Sequence, residues 1–219
     1  MKGKKRIFVC FTGIDGSGKT TLARAMTERM NSSGLKYEYV YNRLTPFLLQ
    51  PFILIGHKLF LRGKDINENY AEYSDTKKRV IRNNPLSHVY QWLLLLDYSI
   101  QVFVKVSVPL MRGRNIVCDR YVYDTLATDL AIDFSYSDKN IEQTLKRFFR
   151  LFPKPDLTFL VDVPEELACQ RKTDVPSIEY LRERRQVYLK IARQYGMTVL
   201  DGSKSLAELE AEIESKVWQ

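Results

Sequence analysis

Short apolar runs rich in β-branched and aromatic residues recur along the chain, separated by longer stretches of helical periodicity. The runs RIFVCFT (6–12), KYEYVYN (36–42), NIVCD (115–119), DLTFLVDV (156–163) and MTVLD (197–201) have the length and composition of buried strands. Between them the pattern predicts helices over 18–31, 46–61, 87–111, 121–132, 139–151, 164–172, 178–195 and 206–218. Strands that alternate with helices build a parallel sheet covered on both faces, so the expected class is α/β with a five-stranded parallel sheet. The polar stretch RGKDINENYAEYSDTKKRVIRNNP (62–85) reads as a long, functional or mobile loop.

Two stretches are apolar enough to raise the question of a membrane. LTPFLLQPFILIGHKLFL (44–61) is broken by Pro46, Gln50, Pro51, His57 and Lys58, and VYQWLLLLDYSIQVFVKVSVPLM (89–111) by Gln91, Asp97, Gln101 and Lys105. Neither reaches an uninterrupted apolar span of about 18 residues, so no membrane partner is expected. The second reads as a long helix buried on most sides, whose polar residues face a ligand or one another. The first reads as a helical flap or a subunit contact.

Composition narrows the partners. The chain has 219 residues with 45% hydrophobic content and no repeat or linker, which suits a single domain over 1–219 with a sizeable core. Its formal charge of +8 favours a polyanionic partner. The basic residues are dispersed and no groove-reading or base-stacking motif is evident, so nucleic acid is the weaker choice and a phosphorylated small molecule the stronger. Cys10, Cys118 and Cys169 lie far apart in sequence, without metal-ligand spacing, and read as reduced core thiols of a cytoplasmic protein. His57 and His88 stand alone and read as structural. The basic start MKGKKRIFVCFTG resembles a signal peptide, but its apolar run is too short and leads straight into a glycine-rich loop.

That loop, GIDGSGKTT, matches G-x-x-x-x-G-K-[ST] from Gly13 to Thr20, after a strand and opening a helix. Gly13, Gly16 and Gly18 let the backbone turn so that successive N–H groups, including those of Ser17 and Thr21, converge on β- and γ-phosphates. Lys19 would bridge those phosphates and the Thr20 hydroxyl would sit on Mg²⁺. Two apolar runs end in an aspartate, Asp119 and Asp162, and either suits a water-mediated contact to the metal. Asp119 is better placed, because Arg120 beside it adds a phosphate-binding guanidinium at one strand end. Such a loop implies triphosphate binding and leaves the reaction open among GTPases, motors and kinases.

With GIDGSGKTT, CDRY, PDLTFLVDVPEELACQRK and DGSKSLAEL in order, the chain resembles the thymidylate kinases, nucleoside monophosphate kinases of the P-loop nucleoside-triphosphate hydrolase fold. The resemblance covers residues 6–43 and 89–215. It implies ATP- and Mg²⁺-dependent phosphorylation of a nucleoside monophosphate, dTMP first among them, under a short lid near 171–178, and a homodimer formed through the long apolar helix. Residue by residue it places Asp15 on the acceptor sugar, Arg43 and Arg120 on the acceptor phosphate, and Arg171 at the lid's start over ATP. Arg185 and Tyr188 fall on the helix after the lid, and Lys204 in the last loop over adenine. Lys19, Arg120 and Arg171 are the expected catalytic cations.

The chain also departs from the family's pattern. Tyr98 stands where the family has a base-reading arginine, with Gln101 retained nearby, and the stretch after DRY carries Asp124, Thr125, Thr128 and Asp129. Carboxylates accept from an exocyclic amino group, which thymine lacks. Tyr98, Gln101, Asp124 and Asp129 are therefore expected to touch the acceptor. Another acceptor (dUMP, dCMP, UMP or a non-nucleotide phosphate) and an acceptor-less ATP-binding regulatory protein stay open as alternatives. Some members of the family carry a catalytic arginine in the loop, where this chain has Gly16, and others in an arginine-rich lid, where it has KTDVPS. Arg171, Lys172 and Arg182 therefore stay as candidates, and residues 44–85 match no part of the pattern.

Overall fold

The five apolar runs form five strands, β1 (Phe8–Thr12), β2 (Tyr37–Tyr41), β3 (Asn115–Asp119), β4 (Leu157–Asp162) and β5 (Thr198–Asp201). The computed structural model describes residues 6–47, 50, 54, 70–84 and 87–217. All strand pairs are parallel, in the order β2-β3-β1-β4-β5. The strand order reverses direction at β1, so the crevice where ligands collect in such sheets opens at the C-terminal ends of β1 and β3. The register places Cys10 beside Cys118, making neighbours of two thiols far apart in sequence. Both are free, and burial pushes both thiols well above their ordinary pKa.

Eight helices are described: α1 (Lys19–Ser32), α2 (Tyr70–Asn83), α3 (Ser87–Met111), α4 (Val122–Asp124), α5 (Asp138–Leu151), α6 (Glu165–Arg171), α7 (Ile178–Tyr195) and α8 (Leu206–Val217). Helix α4 runs on as a π-helical turn over Thr125–Leu130. On one face of the sheet α1 and α8 bury Leu22, Met26, Met30, Leu209 and Ile213 against Val9, Phe11 and Phe159. On the other, α3, α5 and α7 bury Tyr98, Val106, Leu145, Leu181 and Ile191 against Phe8, Cys118 and Leu160. Fully burying one such side chain is worth roughly 1.5–3 kcal/mol, which is what fixes these helices to the sheet. Serines cap α5 and α7, Ser137 accepting from Asn140 N and Ser177 from Tyr180 N, and Gly196 at φ 63° ends α7.

Three expectations change. Residues 70–83, read as loop, form a helix: the stretch has no Gly or Pro to break it, and Tyr70 and Ser74, one turn apart, are buried. Its remaining polar face is solvated, which hid its period. The long helix is not buried on most sides. Leu94, Tyr98, Val102, Val106 and Leu110 face the core, but Trp92, Leu96, Ile100 and Phe103 are 49–72% exposed on the opposite stripe. Its polar residues bind the protein itself, Gln91 donating to Tyr136, Gln101 to the Thr45 carbonyl at 2.7 Å, and Asp97 accepting from Phe47 N. A π turn over Phe103–Ser107 precedes Pro109, whose ring clashes with the carbonyl four residues back and widens the helix there. By length and composition α3 is also the one helix among the described residues able to cross a membrane, with a third of its most apolar window buried. The predicted helix over 46–61, His57 included, lies almost wholly outside the described residues.

Candidate active site

The loop between β1 and α1 is shaped by its glycines. Gly13 and Gly16 have φ of 146° and 81°, and a β-carbon on either would run into the carbonyl of Val161 or Ala168 respectively. The loop therefore lies directly on β4 and α6, and an arginine at position 16 would find neither the backbone angle nor the space. Gly18 at φ 91° aims the first turn of α1 back at the loop. The four N–H groups of that turn have no helical partner and suit an anion. Lys19 is 3% exposed and its Nζ donates to the Ile14 carbonyl at 2.9 Å, so it lies along the loop's interior. Burial and the Arg120 cation draw its pKa down to about 8, with Asp15, Asp124 and Asp119 offsetting part of the effect. Ser17 Oγ is buried without a hydrogen-bond partner among the described residues.

The two candidate metal-side acids have different fates. Asp162 is gripped by Arg185, whose Nε and second guanidinium nitrogen lie 2.7 and 2.9 Å from its two oxygens, and Arg185 also binds Glu165 at 2.9 Å. Asp119 is fully buried, and Tyr39 donates to its Oδ2 at 2.9 Å, while Oδ1 has no partner. A buried carboxylate oxygen left unmatched beside a phosphate loop is costly unless a cation completes it. No cluster of three His, Cys, Asp or Glu able to cage a metal occurs among the described residues. The donors thus fit Mg²⁺, which keeps most of its waters and borrows phosphate oxygens.

Arg120 follows Asp119 with φ 70°, a left-handed backbone uncommon for a non-glycine residue. The bend is held from both sides, Arg120 N donating to the Phe11 carbonyl at 2.9 Å and Cys118 Sγ to the Arg120 carbonyl at 3.0 Å. Its guanidinium pairs with Asp15, on the loop, and lies 3.4 Å from Asp124. Burial pulls the arginine's pKa down, but Asp124, Tyr188 and Asp15 more than reverse this, so it is a permanent cation. Burial likewise pushes Asp15 up, yet Arg120, Lys19, Lys172 and Arg43 hold it at about 2. Lys172, just beyond α6 in the 172–177 connection, reaches within 3.8 Å of Asp15. Arg120 and Lys172 therefore meet at Asp15, and Lys19 and Arg43 add to the positive field on it, with Asp129 acting on Arg43 in turn.

The other residues expected at the acceptor have these partners within the protein. Asp124 is engaged within the protein: it accepts from Thr12 Oγ1 at 2.8 Å, Tyr121 N at 3.0 Å and Tyr188 at 2.8 Å as well as from Arg120. With four donors on two oxygens it is spent inside the protein. Tyr98 is fully buried against Phe148 and Phe152, its hydroxyl taking a 3.2 Å bond from Asn42, because an aromatic ring at this point of α3 fills the core. Gln101 is tied to Thr45. Asp129 accepts from Thr128 at 2.9 Å, and burial pushes its pKa up to about 6. Arg171 donates to the Gly202 carbonyl at 2.8 Å, joining α6 to the 201–205 loop, while Lys204 pairs with Glu212 at 3.0 Å and Thr21 is exposed.

Sequence reasoning missed Tyr39 as the donor to Asp119. The period-two alternation of KYEYVYN does put Tyr37, Tyr39 and Tyr41 on one face of β2, and the register pairs this strand with β3. It also missed Arg184, taken as part of a charged helix face. Arg184 is 6% exposed, with its guanidinium stacked 3.5 Å from the Tyr180 ring.

Comparison with known proteins agrees with this geometry. The family model described as thymidylate kinase matches residues 71–213. A protein named "Probable thymidylate kinase 1" from Saccharolobus solfataricus is 29% identical over 206 residues, covering 92% of this chain and 91% of its own. A "Probable thymidylate kinase" from Archaeoglobus fulgidus is 28% identical, covering 94% and 92%, and a "Thymidylate kinase" from Leptospira borgpetersenii 29%, covering 78% and 70%.

Proposed function

The chain belongs to the thymidylate kinase family, and from that premise we propose that it transfers the γ-phosphoryl group of ATP to dTMP, giving dTDP. The observation that carries this reading is the meeting of Arg120 and Lys172 at Asp15 on the phosphate-binding loop, whose interior holds the buried Lys19. Two anions must meet for phosphoryl transfer, and the cost of bringing them together falls when fixed cations surround the moving group. No base is needed, because the acceptor phosphate is already ionised.

In this reading the loop N–H groups and Lys19 hold the donor's β- and γ-phosphates. Thr20 and Asp119 hold Mg²⁺, which when bound neutralises charge on those phosphates. Arg120 and Arg43 bind the acceptor phosphate and Asp15 its sugar. The Arg171 bond to the 201–205 loop supports a donor-side role in which it ties the start of the lid to the adenine end. Asp124 serves as the anchor of Arg120. Its engagement with four internal donors removes one reason to prefer an aminopyrimidine, which favours dTMP over dCMP.

The exposed apolar stripe of α3 supports a homodimer. Buried, free Cys10 and Cys118 suit a reducing compartment, and the cytoplasm is the proposed site of action. Coupled ADP-release assays with dTMP, dUMP, dCMP, UMP and no acceptor test the function. We expect dTMP to stimulate turnover at least tenfold over the others. Activity confined to dCMP, or ATP turnover indifferent to every acceptor, contradicts the proposal.

A further inference from the structure

Asp119 and Asp162 each end a strand, yet they are partnered in opposite ways. Arg185 takes both oxygens of Asp162, at 2.7 and 2.9 Å, and brings a positive charge that neutralises it. Asp119 takes a single side-chain bond, 2.9 Å from the Tyr39 hydroxyl to Oδ2, from a donor that carries no charge. Its Oδ1 has no partner, and although Lys19 feels its field, no cation forms an ion pair with it among the described residues. A buried carboxylate satisfied on one oxygen by a neutral hydroxyl keeps its charge for a cation at the other.

The strand register explains why a tyrosine serves at position 39. Tyr39 lies beside Val117 and Tyr41 beside Asp119, so the donor has to reach two residues along the sheet, about 6–7 Å, to the carboxylate. A serine or threonine is too short for this, and a lysine or arginine would neutralise the acid as Arg185 does Asp162. The Asp119 backbone is fixed from the end of the same strand, Asn42 N donating to its carbonyl at 3.0 Å. Arg24 of α1 lies over the Tyr39 ring, 5.3 Å from its centre. Thr20, four residues earlier, is on the same side of α1, so this contact holds the phenol against the helix face that carries the other metal-side residue.

We propose that Tyr39 is a positioning residue for the metal site, holding Oδ2 of Asp119 so that Oδ1 alone is left to the cation, and that it thereby sets a preference for Mg²⁺ over Ca²⁺. This rests on the assignment of Asp119 to the metal in the functional reading above. Mg²⁺ demands a near-octahedral shell and keeps several waters, so one carboxylate oxygen suffices for it, whereas Ca²⁺ also takes carboxylates through both oxygens in a looser shell. A carboxylate with one oxygen already bonded suits the first ion and denies the second its two-oxygen grip.

Equilibrium binding of ATP in Mg²⁺, in Ca²⁺ and in EDTA tests this without any turnover. In the wild-type chain Mg²⁺ should tighten ATP binding more than Ca²⁺ does. Tyr39→Phe keeps the ring and removes the hydroxyl, and should narrow the ratio of the Mg²⁺ and Ca²⁺ affinities about fivefold, the equivalent of one hydrogen bond. Arg24→Met should narrow it by less. A merely structural role for Tyr39 would change the affinity in all three conditions alike and leave the ratio unmoved. An unchanged ratio in Tyr39→Phe, whatever its melting temperature, therefore overturns this inference and leaves the functional reading in place. A wild-type chain that binds ATP equally in Mg²⁺, Ca²⁺ and EDTA overturns the metal assignment and this inference with it. Binding as expected in a chain that phosphorylates no monophosphate overturns the functional reading alone. If Tyr39→Phe does not fold, the ratio in Arg24→Met decides in the same way.

Discussion

Arg120 is held in place by residues that spend their hydrogen bonds on it. Asp15 and Asp124 grip its guanidinium from two sides, and Asp124 is in turn fixed by Thr12, Tyr121 N and Tyr188. Asp124→Asn keeps the shape and removes the charge, and should lower kcat/KM for the acceptor at least tenfold, with ATP binding near normal. Tyr188→Phe should be strongly non-additive with it in a double-mutant cycle, since both act through one guanidinium. Asp129 gives a pH signature. Burial raises its carboxyl from 3.8 to about 6, so between those values the folded chain holds a proton that the unfolded chain has lost. Stability therefore falls as pH rises through that window and stays lower above it. Asp129→Asn should melt with wild type near pH 4 and several degrees above it at pH 7.5, as differential scanning calorimetry will read. A gain that is the same at both pH values contradicts this assignment. At this scale the sequence was least legible: it marked Asp119, Arg120 and Lys19 by motif, but which way Asp124 and Tyr98 point depends on Thr12, Tyr188 and Asn42, partners 56 to 112 residues away.

At the scale of elements the apolar runs were nearly transparent. NIVCD is β3 and IEYLRERRQVYLKIARQY is α7 residue for residue, because burial on both sheet faces and a capped, strongly periodic helix leave little freedom. Helix α2 was opaque, since it buries only Tyr70 and Ser74 and its stretch is mostly polar, with too few apolar residues to stand out from a solvated segment. Helix α3 was legible as a helix but not in its surroundings. Leu96 and Ile100, 51% and 49% exposed, sit one turn apart on its outer stripe. Leu96→Glu with Ile100→Glu should convert a dimer to a monomer in sedimentation equilibrium, with little loss of monomer stability, because neither side chain contributes to the core. A wild-type chain that sediments as a monomer removes the dimer from the account.

The whole molecule shows why the motifs, scattered over the sequence, make one site. Parallel strands all end on the same edge, so the loop after β1, Asp119 at the end of β3 with Arg120 after it, and Arg43 beyond β2 arrive together at the point where strand order reverses. The α/β class and strand count follow from the alternation of runs, whereas the order β2-β3-β1-β4-β5 and the closure of α2 over α7 are tertiary facts without local signal. The central claim, that this site moves a phosphoryl group from ATP to dTMP, is tested most directly by following the ³¹P spectrum of a mixture of the protein, Mg²⁺, ATP and dTMP. The dTMP and ATP γ-signals should decline together as dTDP and ADP appear in equal amounts, and Lys19→Ala should abolish the exchange. Release of inorganic phosphate with dTMP unchanged would contradict it.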